Sequence, residues 1–196
     1  MAPGEVVLAS GKGIITNSLE IRGNIVNSSH DFCRLTGELS IASDVHQLRL
    51  VGIEILNPAL NGIALNLTAA SEDLTLWVDS CVFAADRAML LKDFSTTEIK
   101  RTDFIYRDIG MHLLPGSPGN GPISLDDVSF THETTSGLES YWHIYCENAR
   151  MECSADSMHG CRFDGLTADA TNLASIKEHI YASENGGWPA TTVILP

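Results

Sequence analysis

The chain has 196 residues, 44% of them hydrophobic and 19% charged, with a formal charge of −13. That length suits one buried core, the apolar content argues against wholesale disorder, and the acidic surplus disfavours docking on a phosphate backbone. No run approaches the roughly 20 apolar residues a membrane span needs, and MAPGEVVLAS lacks the charged start and apolar run of a signal peptide, so a soluble, unprocessed chain with no nucleic-acid or membrane partner is expected.

In chain order, residues 1–13 carry Gly4, Gly11 and Gly13 around Val6-Val7-Leu8, the pattern of a leading strand or cap with turns on both sides. Leu19, Ile21, Gly23 and Ile25 predict an early repeat, and 31–35 and 39–41 add short strands. From Leu48 to Phe130 one phrase then recurs four times: LRLVGIEIL at 48–56, LTLWVDSCVF at 74–83, TEIKRTDFIY at 97–106 and PISLDDVSFTH at 122–132. Each copy has two apolar residues at i and i+2, a polar or small kink, and a second apolar landmark. The landmarks are Ile55, Cys81, Phe104 and Phe130, spaced at intervals in the low to middle twenties. Strands repeating at such a drifting period, with no helical pattern between them, predict a β-solenoid.

A second phrase lies between the landmarks. Gly62-Ile63-Ala64-Leu65, Ala88-Met89-Leu90-Leu91 and Gly110-Met111-His112-Leu113 occupy the same place in successive repeats, a small residue opening an apolar alternation after a tight corner. Each repeat therefore holds at least two short strands, hydrogen-bonded in parallel to the next repeat. Asn57, Asn61, Asn66, Asp86 and Asp108 fall near the corners, where Asn and Asp tolerate left-handed backbone.

Residues 115–122, with three prolines and three glycines, predict a loop leaving one corner. Tyr141 to Cys146 alternates without a polar face, as a strand covered on both sides or a contact surface does, and Met151, Cys153, Cys161 and Phe163 suggest a last full turn. Leu173, Ile176 and Ile180 predict a short helix over 171–183, ended by Gly186-Gly187, and 191–195 a closing strand. The five cysteines, Cys33, Cys81, Cys146, Cys153 and Cys161, show no C-x-x-C spacing, so buried thiols are expected; the last three are close in sequence and would pair or bind metal only if stacked.

These repeats resemble the right-handed parallel β-helix of the pectin-lyase-like superfamily, which includes polysaccharide lyases, polygalacturonases and bacteriophage tailspikes. The resemblance rests on pattern and covers roughly residues 14–165. It implies an all-β, right-handed parallel β-helix of roughly six coils forming one domain, with 1–13 as N-terminal cap, 14–165 as coils and 166–196 as C-terminal cap or assembly segment. It also implies carbohydrate work on one long face, and a homotrimer where phage relatives are followed.

For glycan cleavage the candidates are Asp126, Asp127 and His159. Polygalacturonases place paired aspartates and a Gly-His-Gly turn on adjacent coils, supplying an acid, a base and a positioned water. Here the turn reads Met158-His159-Gly160, the step from Asp126 to His159 is longer than one coil, and the family's Asn-Thr-Asp and Arg-Ile-Lys elements are absent; Arg150 and Arg162 are only nearby. A solvated turn pair is the alternative. Asp79, Asp103, Asp126 and Asp127 fall near equivalent places in successive coils and would gather calcium, or form a hydrated face. His112, His132 and His143 sit in strand-like contexts, where a hydrogen-bonded or solvent-facing ring is commoner than a metal ligand. Trp77, Trp142 and Trp188 suit sugar stacking, core packing or a subunit interface. There is no G-x-S-x-G, H-E-x-x-H or glycine-rich phosphate loop.

The sequence is thus read as a non-enzymatic structural or binding component of a larger assembly, a phage or virus particle protein such as a capsid decoration or tail fibre element, acting in the virion as a homotrimer beside other particle proteins. No cofactor and no metal are expected. The alternative is a polysaccharide-cleaving enzyme, or an inactive relative that still binds glycan.

Overall fold

Alternating apolar residues separated by single left-handed corners fold this chain as a succession of short strands, each laid parallel to a strand some two to three dozen positions further on. The computed structural model describes residues 5–23, 33–92, 94–115, 123–134, 141–147, 160–167 and 172–183. In order these form β1 (Glu5–Ile15), β2 (Leu19–Arg22), β3 (Cys33–Ile41), β4 (Gln47–Val51), β5 (Ile53–Leu56), β6 (Ile63–Leu67), β7 (Leu74–Asp79), β8 (Val82–Leu91), β9 (Phe94–Lys100), β10 (Asp103–Leu113), β11 (Ile123–Asp126), β12 (Ser129–His132), β13 (Trp142–Glu147), β14 (Arg162–Phe163), β15 (Leu166–Thr167), α1 (Leu173–Glu178) and β16 (Ile180–Ser183).

Among the described residues the strands form two sheets. The smaller runs β11-β9-β7-β4-β2; the larger runs β1-β3-β5-β8-β10-β12-β14-β15, with β6, β13 and β16 branching from it. The long strands β3, β8 and β10 explain the branching. Their first halves pair with β5 and β12, their second halves with β6 and β13, so the larger sheet is two rows sharing three strands. In β3 the break falls at Gly37, whose φ is 126° and where a Cβ would stand 2.6 Å from the carbonyl oxygen of Gly11. Only glycine fits there. All pairings are parallel except the terminal β14–β15 contact.

Each of the four repeated phrases is a strand, a corner and a second strand. The corner residues Gly52, Ser80, Arg101 and Asp127 all have positive φ, between 46° and 63°. Their backbones are knit across layers: Gly52 N–H donates to the Asp79 carbonyl, Ser80 to Lys100 and Arg101 to Asp126, at 2.9–3.0 Å. These corner N–H groups are thereby paired with the next strand's backbone.

Register stacks like on like. Ile55 lies opposite Phe83, Phe83 opposite Phe104, Phe104 opposite Phe130 and Phe130 opposite Phe163. The four rings stack with centroids 5.5, 5.0 and 5.0 Å apart, and all are buried. Stacked pairs of this kind add about 0.5–1.5 kcal/mol each beyond area burial. The partner of Ile55 is thus Phe83, not the expected Cys81, which stands two positions earlier, level with Ile53. A second expected alignment moves by two as well: Leu65 lies opposite Met89, so Ala64-Leu65-Asn66-Leu67, not 62–65, matches Ala88-Met89-Leu90-Leu91. The match of 88–91 with 110–113 is as expected.

Two further expectations change near the end. The predicted helix shrinks to Leu173–Glu178, because Ile180–Ser183 is a strand pairing in parallel with Ile144–Glu147 of β13. Cys33, Cys81, Cys146 and Cys161 are buried thiols; burial pushes the Cys81 and Cys161 thiols up to about 11 and Cys146 up to about 12. Cys153, most of the 115–122 loop and the strand expected at 191–195 lie outside the described residues.

Candidate binding face

The smaller sheet sends alternate residues to opposite sides. Leu48, Leu76, Thr97 and Ile123 form one buried column, and Leu50, Val78, Ile99 and Leu125 another. The residues between them face outward. Glu20, Arg49, Trp77, Glu98 and Ser124 fall in register across five successive strands, one per strand. The first four members of this outer column line an open depression of about 590 Å³, together with Ser18, Leu19 and Gln47.

Trp77 is half-buried, so its indole is held by the sheet while part of its surface meets solvent. Its column neighbours carry charge. Glu20 accepts from Arg22 at 2.6 Å and lies 3.9 Å from Arg49, and Glu98 lies 3.7 Å from Lys100. Ser18 shapes the rim, its hydroxyl oxygen accepting the backbone N–H groups of His46 and Gln47 at 3.1 and 3.0 Å. An aromatic plane flanked by a guanidinium and a carboxylate offers apolar contact to the C–H face of a sugar ring and hydrogen bonds to its hydroxyls.

A second polar group stands at the entry to β7. His46 Nδ1 lies 2.6 Å from Asp73, and Ser71 also donates to Asp73. The hydrogen bonds from Ser71 and then His46 hold the Asp73 carboxyl below the usual carboxylate range. Because Ser71 is bonded to the carboxylate and not to the imidazole, this is no nucleophile–base pair.

The residues singled out for cleavage chemistry are placed differently from one another. Asp126 ends β11 in the outer column Asp79–Lys100–Asp126. Asp127 is the exposed left-handed corner next to it, at φ 53°. His159 lies outside the described residues; its neighbour Gly160 packs on Asp127, with a Cβ there 3.5 Å from the Asp127 Cα. The expected carboxylate row does not assemble: Lys100 separates Asp79 from Asp126, Arg101 is ion-paired to Asp79 at 2.5 Å, and Asp103 lies beyond the corner, opposite Val82 and Ser129. Among the described residues no three His, Cys, Asp or Glu side chains are grouped to hold a metal ion.

Sequence reasoning named Trp77 but missed Glu20, Arg49 and Glu98 as its neighbours. The missing signal was register: the three come from other strands, at unequal distances along the chain from Trp77, and that inequality conceals one column. No family model, curated protein or solved structure matches the chain.

Proposed function

We propose that the chain is a right-handed parallel β-helix acting as a non-enzymatic binding component of a larger assembly, and that it docks a linear glycan along the outer face of its five-stranded sheet. The observation that carries this is Trp77 in register between Arg49 and Glu98, lining an open depression. A rigid sheet presents that row at little conformational cost on binding. The assembly the sequence suggests is a phage or virus particle built with a homotrimer of this chain, where a glycan-binding flank serves attachment.

The spacing of the carboxylates favours binding over cleavage. Hydrolysis needs two carboxyl groups about 5–9.5 Å apart. Glu20 and Glu98 are three strands apart in their column, roughly 14 Å at the usual interstrand spacing. Asp79 and Asp126 are two strands apart, roughly 9.6 Å, with the cationic Lys100 in register between them.

The test is titration of the purified protein with a panel of neutral and acidic oligosaccharides, alongside an assay for reducing ends and unsaturated products. Binding that Trp77→Ala weakens by at least about tenfold, with the fold intact and no product released, is the expected result. Product release abolished by Asp126→Asn and by His159→Ala would replace this reading with the enzymatic one.

A further inference from the structure

At the other end of the described layers, six side chains from five parts of the chain converge. His132 ends β12, Tyr141 and His143 enter β13, Tyr106 comes from β10, Asp164 from the β14–β15 turn, and His179 from the end of α1. The Tyr141 ring is sandwiched between His132, at 3.7 Å and 5° between planes, and His179, at 4.1 Å and 8°. His143 stands edge-on to Tyr141 at 5.6 Å and to His179 at 5.5 Å.

Hydrogen bonds tie the group together. Tyr141 donates its hydroxyl to Asp164 at 2.9 Å, and the His132 backbone N–H donates to the same carboxylate at 2.7 Å. The His143 backbone N–H donates to the His179 carbonyl at 2.8 Å, which fastens the end of α1 to β13. Tyr106 bonds to Nδ1 of His143 deep inside, where both side chains are buried. Burial pushes the Tyr106 hydroxyl up; with that hydroxyl as donor to Nδ1, the imidazole proton of His143 sits on Nε2, 3.9 Å from Asp164.

The segment this group holds is short. α1 has six residues and β16 four, and β16 pairs only with β13 among the described strands. A helix of that length does not stand alone in water. Ile176, 2% exposed, is its anchor in the core.

We propose that the His132–Tyr141–His179 stack, with His143 beneath it, is an acid-sensitive clasp that holds residues 172–183 on the edge of β13 at neutral pH and releases them in acid. Histidine changes charge between about pH 5 and 8. Burial of the three imidazoles around one tyrosine opposes any charge within the group, and a proton on His143 Nδ1 removes the acceptor that Tyr106 uses. Burial also pushes His143 down to about 4, with His179 and His132 acting in the same sense and Asp164 against it. Release uncovers the edge of β13, whose free N–H and C=O groups are a template for a strand from another chain.

Amide hydrogen exchange on the intact chain tests this, at pH 7.5 and pH 5.0 with intrinsic rates corrected for pH. Peptides covering 141–147 and 172–183 lose at least about tenfold in protection at pH 5.0, while those covering 74–113 do not change. The double variant His132→Phe, His179→Phe keeps flat rings on both faces of Tyr141 but cannot charge, and it shrinks that loss at least about threefold. Unchanged protection in wild type, loss in step with 74–113, or a double variant that opens as readily as wild type would each overturn the clasp. Should the double variant fail to fold, the wild-type comparison alone decides.

Discussion

Thr97 is the odd member of a column that otherwise reads Leu48, Leu76 and Ile123. It is 0% exposed, and among the described residues its hydroxyl has no hydrogen-bond partner. A buried, unsatisfied hydroxyl costs about 1–3 kcal/mol, and valine has nearly the same shape. Thr97→Val should therefore stabilise the protein by about 1 kcal/mol, raising the thermal midpoint by about 2–4 °C in calorimetry; a drop would mean the hydroxyl is satisfied. Single residues also show why the sequence placed the layers correctly but the registers imperfectly. Setting Cys81 opposite Ile55, in place of Phe83, is a slip of two positions, and so is the slip at 62–65. In a strand a slip of one turns every apolar side chain outward, whereas a slip of two leaves the pattern intact. Composition of the phrase excludes the first and is blind to the second. Counting from the buried column removes the ambiguity: the steps from Leu48 to Ile55, Leu76 to Phe83, Thr97 to Phe104 and Ile123 to Phe130 are all of equal length.

At the scale of elements, buried imidazoles on β10 and β13 make stability depend on pH. His143 is held neutral by burial, and His112, buried against β13 with Glu147 2.9 Å away, is also pushed down, chiefly by burial. Both folded values lie below the ordinary 6.5 of free imidazole. Between that value and about 4 the unfolded chain binds more protons than the folded one, so this stabilisation is complete above about pH 6.5 and drains away as the pH falls. The thermal midpoint should be at least about 4 °C lower at pH 5 than at pH 7.5. Equal midpoints would contradict the burial of these two rings. Little in the sequence warns of this cluster, because His132, Tyr141, Asp164 and His179 come from separate stretches of the chain and carry no local motif. The helix prediction ran too long for a related reason: Ile176 and Ile180 have helical spacing, but Ile180 finds a strand partner in Ile144. Tertiary pairing outweighs the weak propensity of so short a segment.

For the whole molecule, the parallel layers were legible from the repeat alone, while the candidate binding face was legible only as one tryptophan. The face exists because strands of unequal spacing bring one side chain each to a common line, which is a property of register and not of any residue. Every column of the smaller sheet requires Gln47 and Thr75, well separated in sequence, to be neighbours on adjacent parallel strands. If the chain instead folded back at Gly52 as an antiparallel hairpin, Gln47 would face Asn57. The direct test is oxidative cross-linking of two double variants, Gln47→Cys with Thr75→Cys and Gln47→Cys with Asn57→Cys, read by peptide mass mapping. A disulfide needs Cα atoms about 4.4–6.8 Å apart, a distance that adjacent parallel strands meet. The 47–75 pair should close readily and the 47–57 pair should stay reduced; the opposite outcome would contradict the stacking and with it the proposed glycan face.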